Sequence, residues 1–427
     1  MSLKGEFFIA LRNFQNYRRG ALSYRSLAAG VLTIAFSMLP VLVVLEVSSG
    51  MIEGITRRYV EVGSFHLQAG VYGTSLPEEA EELQARLEEI PGLLSVVLLV
   101  QGNGLVYSST SRAGTQVRGV EGSYYRRDPE FSRYLSMTAG DFDFGEDRRG
   151  LVLSRPMAEE LGLEVGAPVK LLIARTSAAT GRTILRPGNY YVSGIFSTGY
   201  SELDLLTIYM DKDQALSAFG AEGTLHFGFK TGDYTQDLAP LQREIRRVLP
   251  SEWYLIPWRE MDRSLYQNLA STKAMLLFIM VIIILVAAVN TSSSMLNMVM
   301  ERQEEIGILK SLGMSPASVE REVFFSGLII GFLGILLGNV MGLLLAVNIN
   351  SLISFIESLI NGVFRLFNQE AFTLLNPQYY LEIIPIRIPL PETLLIGGLT
   401  MTCCLLASYF PARRAGRTPP LEVIRRR

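Results

Sequence analysis

The side chains with the widest chemical repertoire are few in this chain, and their spacing limits what they can do. Two histidines, His66 and His226, and two adjacent cysteines, Cys403 and Cys404, are the whole supply of imidazole and thiol. Histidines so far apart read as isolated structural residues rather than a metal pair, and no cysteine cluster accompanies either one. Cysteines that adjoin inside an apolar run offer no disulfide framework and no Cys/His nucleophile pair. Neither a G-x-x-x-x-G-K-[ST] phosphate loop nor a G-x-S-x-G elbow occurs, which excludes nucleotide or ester hydrolysis by those routes. Carboxylates are plentiful but scattered over helical patterns, where solvation is their default role. We therefore expect no catalytic residue, no metal and no cofactor bound by this chain.

One stretch carries organised chemistry of another kind. Met300–Glu322, MERQEEIGILKSLGMSPASVERE, lies between the uncharged runs Ala274–Val289 and Phe324–Ile349. A charged amphipathic segment flanked by membrane-length runs must lie at a membrane surface. Within it Ile306, Leu309 and Leu312 recur at helical spacing, with Glu304, Glu305 and Lys310 on other faces. Gly313 supplies a helix stop, and Ser315-Pro316 has the chemistry of a second helix start. The stretch reads as a short helix on one membrane face, offered to a partner in the water.

The elements that would position such a helix follow from the hydropathy pattern. Of the 427 residues, 49% are hydrophobic and 19% charged, and the apolar excess falls in blocks, the mark of a membrane protein with a folded extramembrane domain. Four runs are long enough to span: Leu27–Leu45, Ala274–Asn297, Phe324–Ile349 and Leu390–Phe410. The first is too long for a signal-peptide core and lacks a good cleavage site, so it reads as an uncleaved anchor. Lys4, Arg12, Arg18, Arg19 and Arg25 precede the first run, and Arg413, Arg414, Arg417, Arg425, Arg426 and Arg427 follow the last, which puts both termini in the cytoplasm. Net charge of −2 gives no argument for nucleic acid. Charges are absent from the middle of the spans, against a proton relay or ion-coupled carrier.

The expected layout begins with an N-terminal segment, 1–26, that is either an interfacial helix or an ordinary basic flank. The first span (27–47) then leads into an extracytoplasmic domain (48–271), followed by the second span (272–298) and a cytoplasmic coupling loop (299–322). The third span (323–349), an extracytoplasmic loop (350–389), the fourth span (390–411) and a cytoplasmic tail (412–427) complete it. The fold class is an α-helical membrane protein with four transmembrane helices and a large α+β domain between helices 1 and 2. Inside that domain helix–strand pairs recur: Pro77–Ile90 with Leu93–Val100, Arg155–Leu161 with Val169–Ala174, Asp213–Phe219 with Leu225–Lys230, and Gln236–Leu249 with Trp253–Pro257. Trp253 and Trp258 fit either an interface belt or the domain core. Gly327, Gly331, Gly334 and Gly338, continued by Gly342, form one stripe on the third span and allow close packing, within the chain or across a dimer seam.

Longer patterns carry a resemblance. ERQEEIGILKSLGMSPASVEREVFFSGLIIGFLGILLG is similar to the E-R-x-x-E-I-G-x-L-[KR]-[AS]-[LI]-G segment of the FtsX-like permeases of type VII ABC systems. Asn376–Ile388, NPQYYLEIIPIRI, resembles the YYL-x-x-[IL]-P-[VI]-x-[IF] loop of the lipoprotein-releasing permeases, the LolC/LolE type. VLSRPMAEELGLEVGAPVKLL, YYVSGIFSTGYSELDLLTIYMDKDQAL and the ending YFPARRAGRTPPLEVIR resemble further segments of that family, with Ala167 where the family usually has Asp. Residues 71–150 match poorly, so a C-like, E-like or hybrid homodimeric type is not assigned.

The resemblance implies a permease subunit that extracts lipoproteins from the bacterial inner membrane and hands them to a periplasmic carrier. A separate LolD-like ATPase dimer, holding ATP and Mg, would drive it beside a second, identical or paralogous, permease. The family's coupling helix falls on Glu301–Gly313, so Glu301, Glu304, Glu305, Ile306, Gly307, Leu309, Lys310 and Gly313 are the expected contacts with that ATPase. A Gly307→Trp substitution would then abolish partner-stimulated ATP turnover. Leu39, Val43, Val44, Val47 and Met51 are the candidates to line a cavity for the lipid anchor. Two alternatives share the fold: an FtsX-like adaptor that activates a cell-wall hydrolase, and a MacB-like efflux permease.

Overall fold

The computed structural model describes residues 21–71, 77–109, 111–176, 183–220, 223–366, 372–374, 381 and 383–417. The N-terminal segment 1–20, residues 376–380 and 382 of the NPQYYLEIIPIRI loop and the end of the C-terminal tail lie outside the described residues. The chain divides into two compact units, one of residues 1–51, 269–372 and 384–427 and the other of residues 52–268 and 373–383.

Among the described residues, four helices are long and apolar enough to cross a membrane: Ala28–Ser64, Arg263–Glu301, Pro316–Val347 and Leu390–Arg417. In the first unit they pack through small residues. The third helix turns its glycine stripe on two neighbours in succession. A Cβ added at Gly327 would lie 2.8 Å from Ser408 Cβ, and one at Gly331 would lie 3.5 Å from Cys404 Cβ, both on the fourth helix. Further along, Gly334 faces Ile34, Gly338 faces Met38 and Gly342 faces Leu42 on the first helix, each at 2.7–2.9 Å from a Cβ. The stripe is thus consumed inside the chain, and a dimer seam is not what it serves. Two buried hydroxyls in this unit return to their own helix: Thr400 Oγ1 donates to Ile396 O at 2.8 Å, and Ser408 Oγ to Cys404 O at 2.7 Å. That satisfies each group where no water is available.

Residues 350–389 were expected as a loop, yet Ile349–Leu366 is an 18-residue helix. Leu352, Phe355, Leu359 and Val363 recur at helical spacing and are exposed. A search for membrane-length runs passes over such a helix, because Ser, Glu and Asn interrupt its apolar face-to-face count. Asn350 then clasps the return segment, with its side-chain amide donating to Ile384 O at 3.0 Å and accepting from Ile384 N at 3.1 Å.

The second unit is a mixed sheet flanked by short helices. Its strands are β1 (Leu67–Val71), β2 (Ser95–Tyr107), β3 (Arg112–Val120), β4 (Ser136–Gly140), β5 (Gly150–Ser154), β6 (Pro168–Thr176), β7 (Thr183–Ser197), β8 (Thr207–Asp211), β9 (Thr224–Lys230) and β10 (Trp253–Pro257). They run in the order β10-β1-β9-β2-β3-β8-β5-β7-β4, with β6 bridging β2 and β7. The bridge closes β2, β3, β8, β5, β7 and β6 into a ring, filled by Val106, Val117, Leu153, Leu171, Val192 and Ile208, all buried. Only the β3–β8 and β5–β7 pairs are parallel.

Helices Arg155–Leu161 and Lys212–Phe219 start on side-chain caps, Ser154 for the first and Asp211 for the second. Ala167 sits in the turn before β6, its N–H bonded to Glu164 O at 3.0 Å, where the side chain has no capping task. Strands β1, β3, β4 and β5 are not legible in the alternation pattern, since each carries glycine, at 70, at 114 and 119, at 140 and at 150. Both tryptophans are buried in this unit: Trp253 packs on Phe227 at 4.9 Å and Trp258 on Tyr266 at 4.7 Å. The domain-core reading of the pair is the correct one.

The glycine stripe yields a test. Gly334→Leu or Gly338→Leu should lower the stability of the membrane unit by about 1–3 kcal/mol, because backbone-borne carbons already occupy the space. Gly362→Ala, with open space around it, should leave the melting temperature in detergent unchanged or slightly raised.

Candidate functional site

Two places gather charged side chains in defined geometry. The first is the segment after the second span. Its helix, Arg263–Glu301, breaks at Arg302 (φ −97°, ψ 11°), and a separate contact helix runs from Gln303 to Ser311. Gly313 at φ +96° ends that helix, a conformation open to glycine at little cost. Ser315 then caps the third span by accepting from Ser318 N, with Pro316 in its first turn.

Arg302 is the pin of this corner. It is buried, and its guanidinium meets the buried carboxylate of Glu322 on the third span at 3.3 Å. Its Nε donates to Glu305 Oε2 at 2.9 Å, one turn into the contact helix. Lys310 Nζ donates to Gly416 O at 2.6 Å and so ties the other end of the helix to the fourth span.

With both ends pinned, the orientation of the contact helix is fixed. Ile306 and Gly307, expected to seat in a partner's groove, are buried within this chain's own first unit, and Leu309 and Lys310 are half-buried. The outward face instead carries Glu301, Glu304, Glu305, Ile308, Ser311, Leu312 and Gly313. Ile308 is 53% and Leu312 79% exposed, so two apolar side chains stand among carboxylates at the open surface. Of the expected stripe Ile306, Leu309 and Leu312, Leu312 alone is exposed, and Ile308, outside that stripe, joins it at the surface. Ile306 is the better core residue because Arg302 turns that side of the helix toward the third span.

The second place lies in the other unit, at the junction where the first long helix ends. Tyr59–Ser64 is a π-helical turn, and Phe65 leaves it at φ +60°, a conformation non-glycine residues adopt only when neighbours hold them. Glu61 in that turn meets Lys230 Nζ at 3.0 Å and His66 Nε2 at 3.1 Å, and Asp128 meets the same lysine at 2.6 Å. All four side chains are buried. Arg58 Nε donates to Thr198 O at 2.6 Å, and Arg118 Nη1 to Val62 O at 2.7 Å. The turn is therefore held by ion pairs and by carbonyl clamps from the sheet. His66 works here as a structural hydrogen-bonding residue. His226 does too: burial, with Arg118 nearby, lowers its pKa to about 4, which leaves the ring neutral.

The candidates for a lipid-lining face follow one side of the first helix. Leu39, Val43, Val47 and Met51 are half-buried and Val44 is exposed, whereas Met38, Val41, Leu42 and Leu45 between them are buried. Just beyond, Gly50 lies under the return segment: a Cβ there would collide with Pro385 O. The structure thus brings Pro385, from the loop that carries the family resemblance, onto the first helix.

Four spanning helices, a sheet domain and a pinned surface helix define a membrane protein of the permease class. Residues 28–247 match the family described as MacB-like periplasmic core domain, and residues 277–420 match the one described as FtsX-like permease C-terminal. The chain belongs to this family of FtsX-like permeases with a MacB-like periplasmic core domain. It is 28% identical to the lipoprotein-releasing system transmembrane protein LolC of Neisseria meningitidis, over 98% of this chain and 99% of that relative. The LolC of Xylella fastidiosa is 25% identical, with 98% of each chain covered. The LolE of Haemophilus influenzae is 23% identical over 81% of this chain and 80% of its own length.

The pin predicts an asymmetry between two acids one helix apart. Glu322→Ala strands the buried Arg302 charge and should destabilise the membrane unit by about 3–5 kcal/mol. Glu305→Ala removes only an exposed partner and should cost under about 1 kcal/mol. Thermal unfolding of the two variants in detergent checks both values.

Proposed function

We propose that this chain is a permease subunit of an ABC-type complex that releases lipoproteins from the inner membrane of a diderm bacterium. The observation that carries the proposal is similarity along the whole chain to two proteins named as lipoprotein-releasing transmembrane subunits. In this reading the sheet domain lies in the periplasm between spans one and two, and both termini and the contact helix are cytoplasmic. The chain hydrolyses nothing itself: ATP and Mg belong to a separate ATPase, and no nucleic acid is involved. A second permease, identical or paralogous, completes the membrane part, and a soluble periplasmic carrier receives the acylated protein. The face of the first helix at the half-buried Leu39, Val43, Val47 and Met51 and the exposed Val44 is where the lipid anchor would enter. The full-length relatives favour release over the efflux and hydrolase-activating alternatives.

Energy enters through the outward face of the contact helix. Ile308 and Leu312 fill an apolar groove on the ATPase, and Glu301, Glu304 and Glu305 set register against its basic rim. Glycine at 313 lets the chain turn without adding bulk there. Because Arg302 and Lys310 fix the helix at both ends, a push on it reaches the third and fourth spans instead of bending a loop. Apolar anchors ringed by charge are the usual arrangement of an interface hot spot.

Ile308→Glu combined with Leu312→Glu should weaken ATPase binding by at least about tenfold, given typical hot-spot energies. Membrane insertion and melting temperature should stay unchanged, since both side chains point outward. Pull-down of the ATPase by the purified permease measures the effect, with release of an acylated reporter lipoprotein in proteoliposomes as the functional readout. Unimpaired binding and release in this variant would overturn the assignment of that face. Gly307→Trp is no longer the informative variant, because Gly307 is buried in the chain's own core and its loss confounds folding with contact.

A further inference from the structure

We propose that a cavity between the near ends of the third and fourth spans binds the phosphate headgroup of an anionic phospholipid. The cavity is about 300 Å³ and is lined by Glu320, Arg321 and Phe324 of the third span and by Tyr409 and Arg413 of the fourth. A volume of that order is the lower end of the range for small-molecule sites. Its walls combine two guanidiniums with two aromatic rings, a set that suits a phosphate ester with an apolar tail.

Position decides which kind of phosphate. Arg321 is the last basic residue, followed by the buried Glu322, before the uncharged stretch that begins at Val323, and Arg413 is the first charged residue after an uncharged stretch that starts at Thr393. Both arginines therefore mark the level at which the spans leave hydrocarbon. Tyr409 and Phe410, 52% and 74% exposed, stand at the same level on the fourth helix, where aromatic rings concentrate in membrane proteins. A lipid phosphate lies at that depth, and its acyl chains can run down past Phe324 and Tyr409. Free phosphate would gain nothing from those rings.

Glu320 is the acid among the lining residues. Glu320's carboxylate lies against Gly416, whose carbonyl takes the hydrogen bond from Lys310 Nζ. Arg321 Nε donates to Ala317 O at 3.2 Å, which steadies its planar head at the cavity wall. Two cations against one acid leave the site net positive. Basic pockets between spanning helices are a recurrent form of headgroup recognition. The inference uses only the spans and the cavity, and it stands whether or not the chain releases lipoproteins.

The test uses the full chain in nanodiscs of equal phosphatidylglycerol and phosphatidylcholine, transferred to detergent and washed stepwise, with retained lipid quantified by mass spectrometry. Wild-type protein should hold phosphatidylglycerol over phosphatidylcholine by about tenfold, and Arg321→Gln with Arg413→Gln should bring the ratio near parity. Arg365→Gln, an exposed arginine on the amphipathic helix, should leave the ratio as in wild type. If the double variant fails to fold, Arg321→Lys and Arg413→Lys decide: each keeps its charge, loses the planar fork, and should cut the preference by about threefold. An unchanged preference in the glutamine or lysine variants overturns the proposal. Displacement of the retained lipid by inorganic phosphate also overturns it, because it would make the cavity a site for free anion.

Discussion

The membrane half of this protein depends on one buried ion pair. Arg302 and Glu322 are both withdrawn from water, a placement that costs several kcal/mol per charge unless each finds its partner. Paired, they do something an apolar contact would not do as well: they fix direction. The guanidinium is a planar fork, and a carboxylate on the third span accepts it from one side only. The corner between the second span and the contact helix is thereby set, and the exposed face of that helix becomes a rigid platform. The hydrogen bond from Lys310 to the fourth span repeats the device at the other end. Close glycine packing of the third span on its neighbours supplies the stiffness behind both pins.

Similar logic operates in the sheet unit, with different residues. A helix that leaves the membrane must become a strand, and here the change is made in a π-turn and one residue at positive φ. Such backbone strain persists only where surroundings over-determine it. Glu61, His66, Lys230 and Asp128 form the surroundings, together with Arg118, which donates to Val62 O within the turn, and Arg58, which donates to Thr198 O. Each unit thus holds its bend with buried charge rather than with loop length.

Much of the architecture was legible in the sequence. Four apolar runs, one of them with Glu392 near its start, gave four long helices, helix stops at Gly313 and starts at Ser315-Pro316 lie where the cap chemistry puts them, and strand β10 matches Trp253–Pro257. The contact segment was also legible, but not its rotation. Periodicity puts Ile306, Leu309 and Leu312 on one side; it does not say which of them faces the chain and which the water, and the structure buries Ile306 while Leu312 stands exposed. The answer came from Arg302, a residue that reads in sequence as one more basic flank and that matters because Glu322 lies opposite it twenty residues later. Glycine-interrupted strands and the helix Ile349–Leu366 escaped for a similar reason: their pattern is completed by partners distant in sequence. The glycine stripe predicted close packing without naming the neighbour, and the neighbours proved to be the first and fourth spans.

The measurement that bears most directly on the account is co-purification of the full chain from its native membranes, with mass spectrometry of every retained protein. The account predicts an ABC ATPase subunit together with triacylated lipoproteins, and a permease partner identical or paralogous to this chain. An ATPase recovered with a cell-wall hydrolase or an outer-membrane channel, and with no lipoprotein, would contradict it.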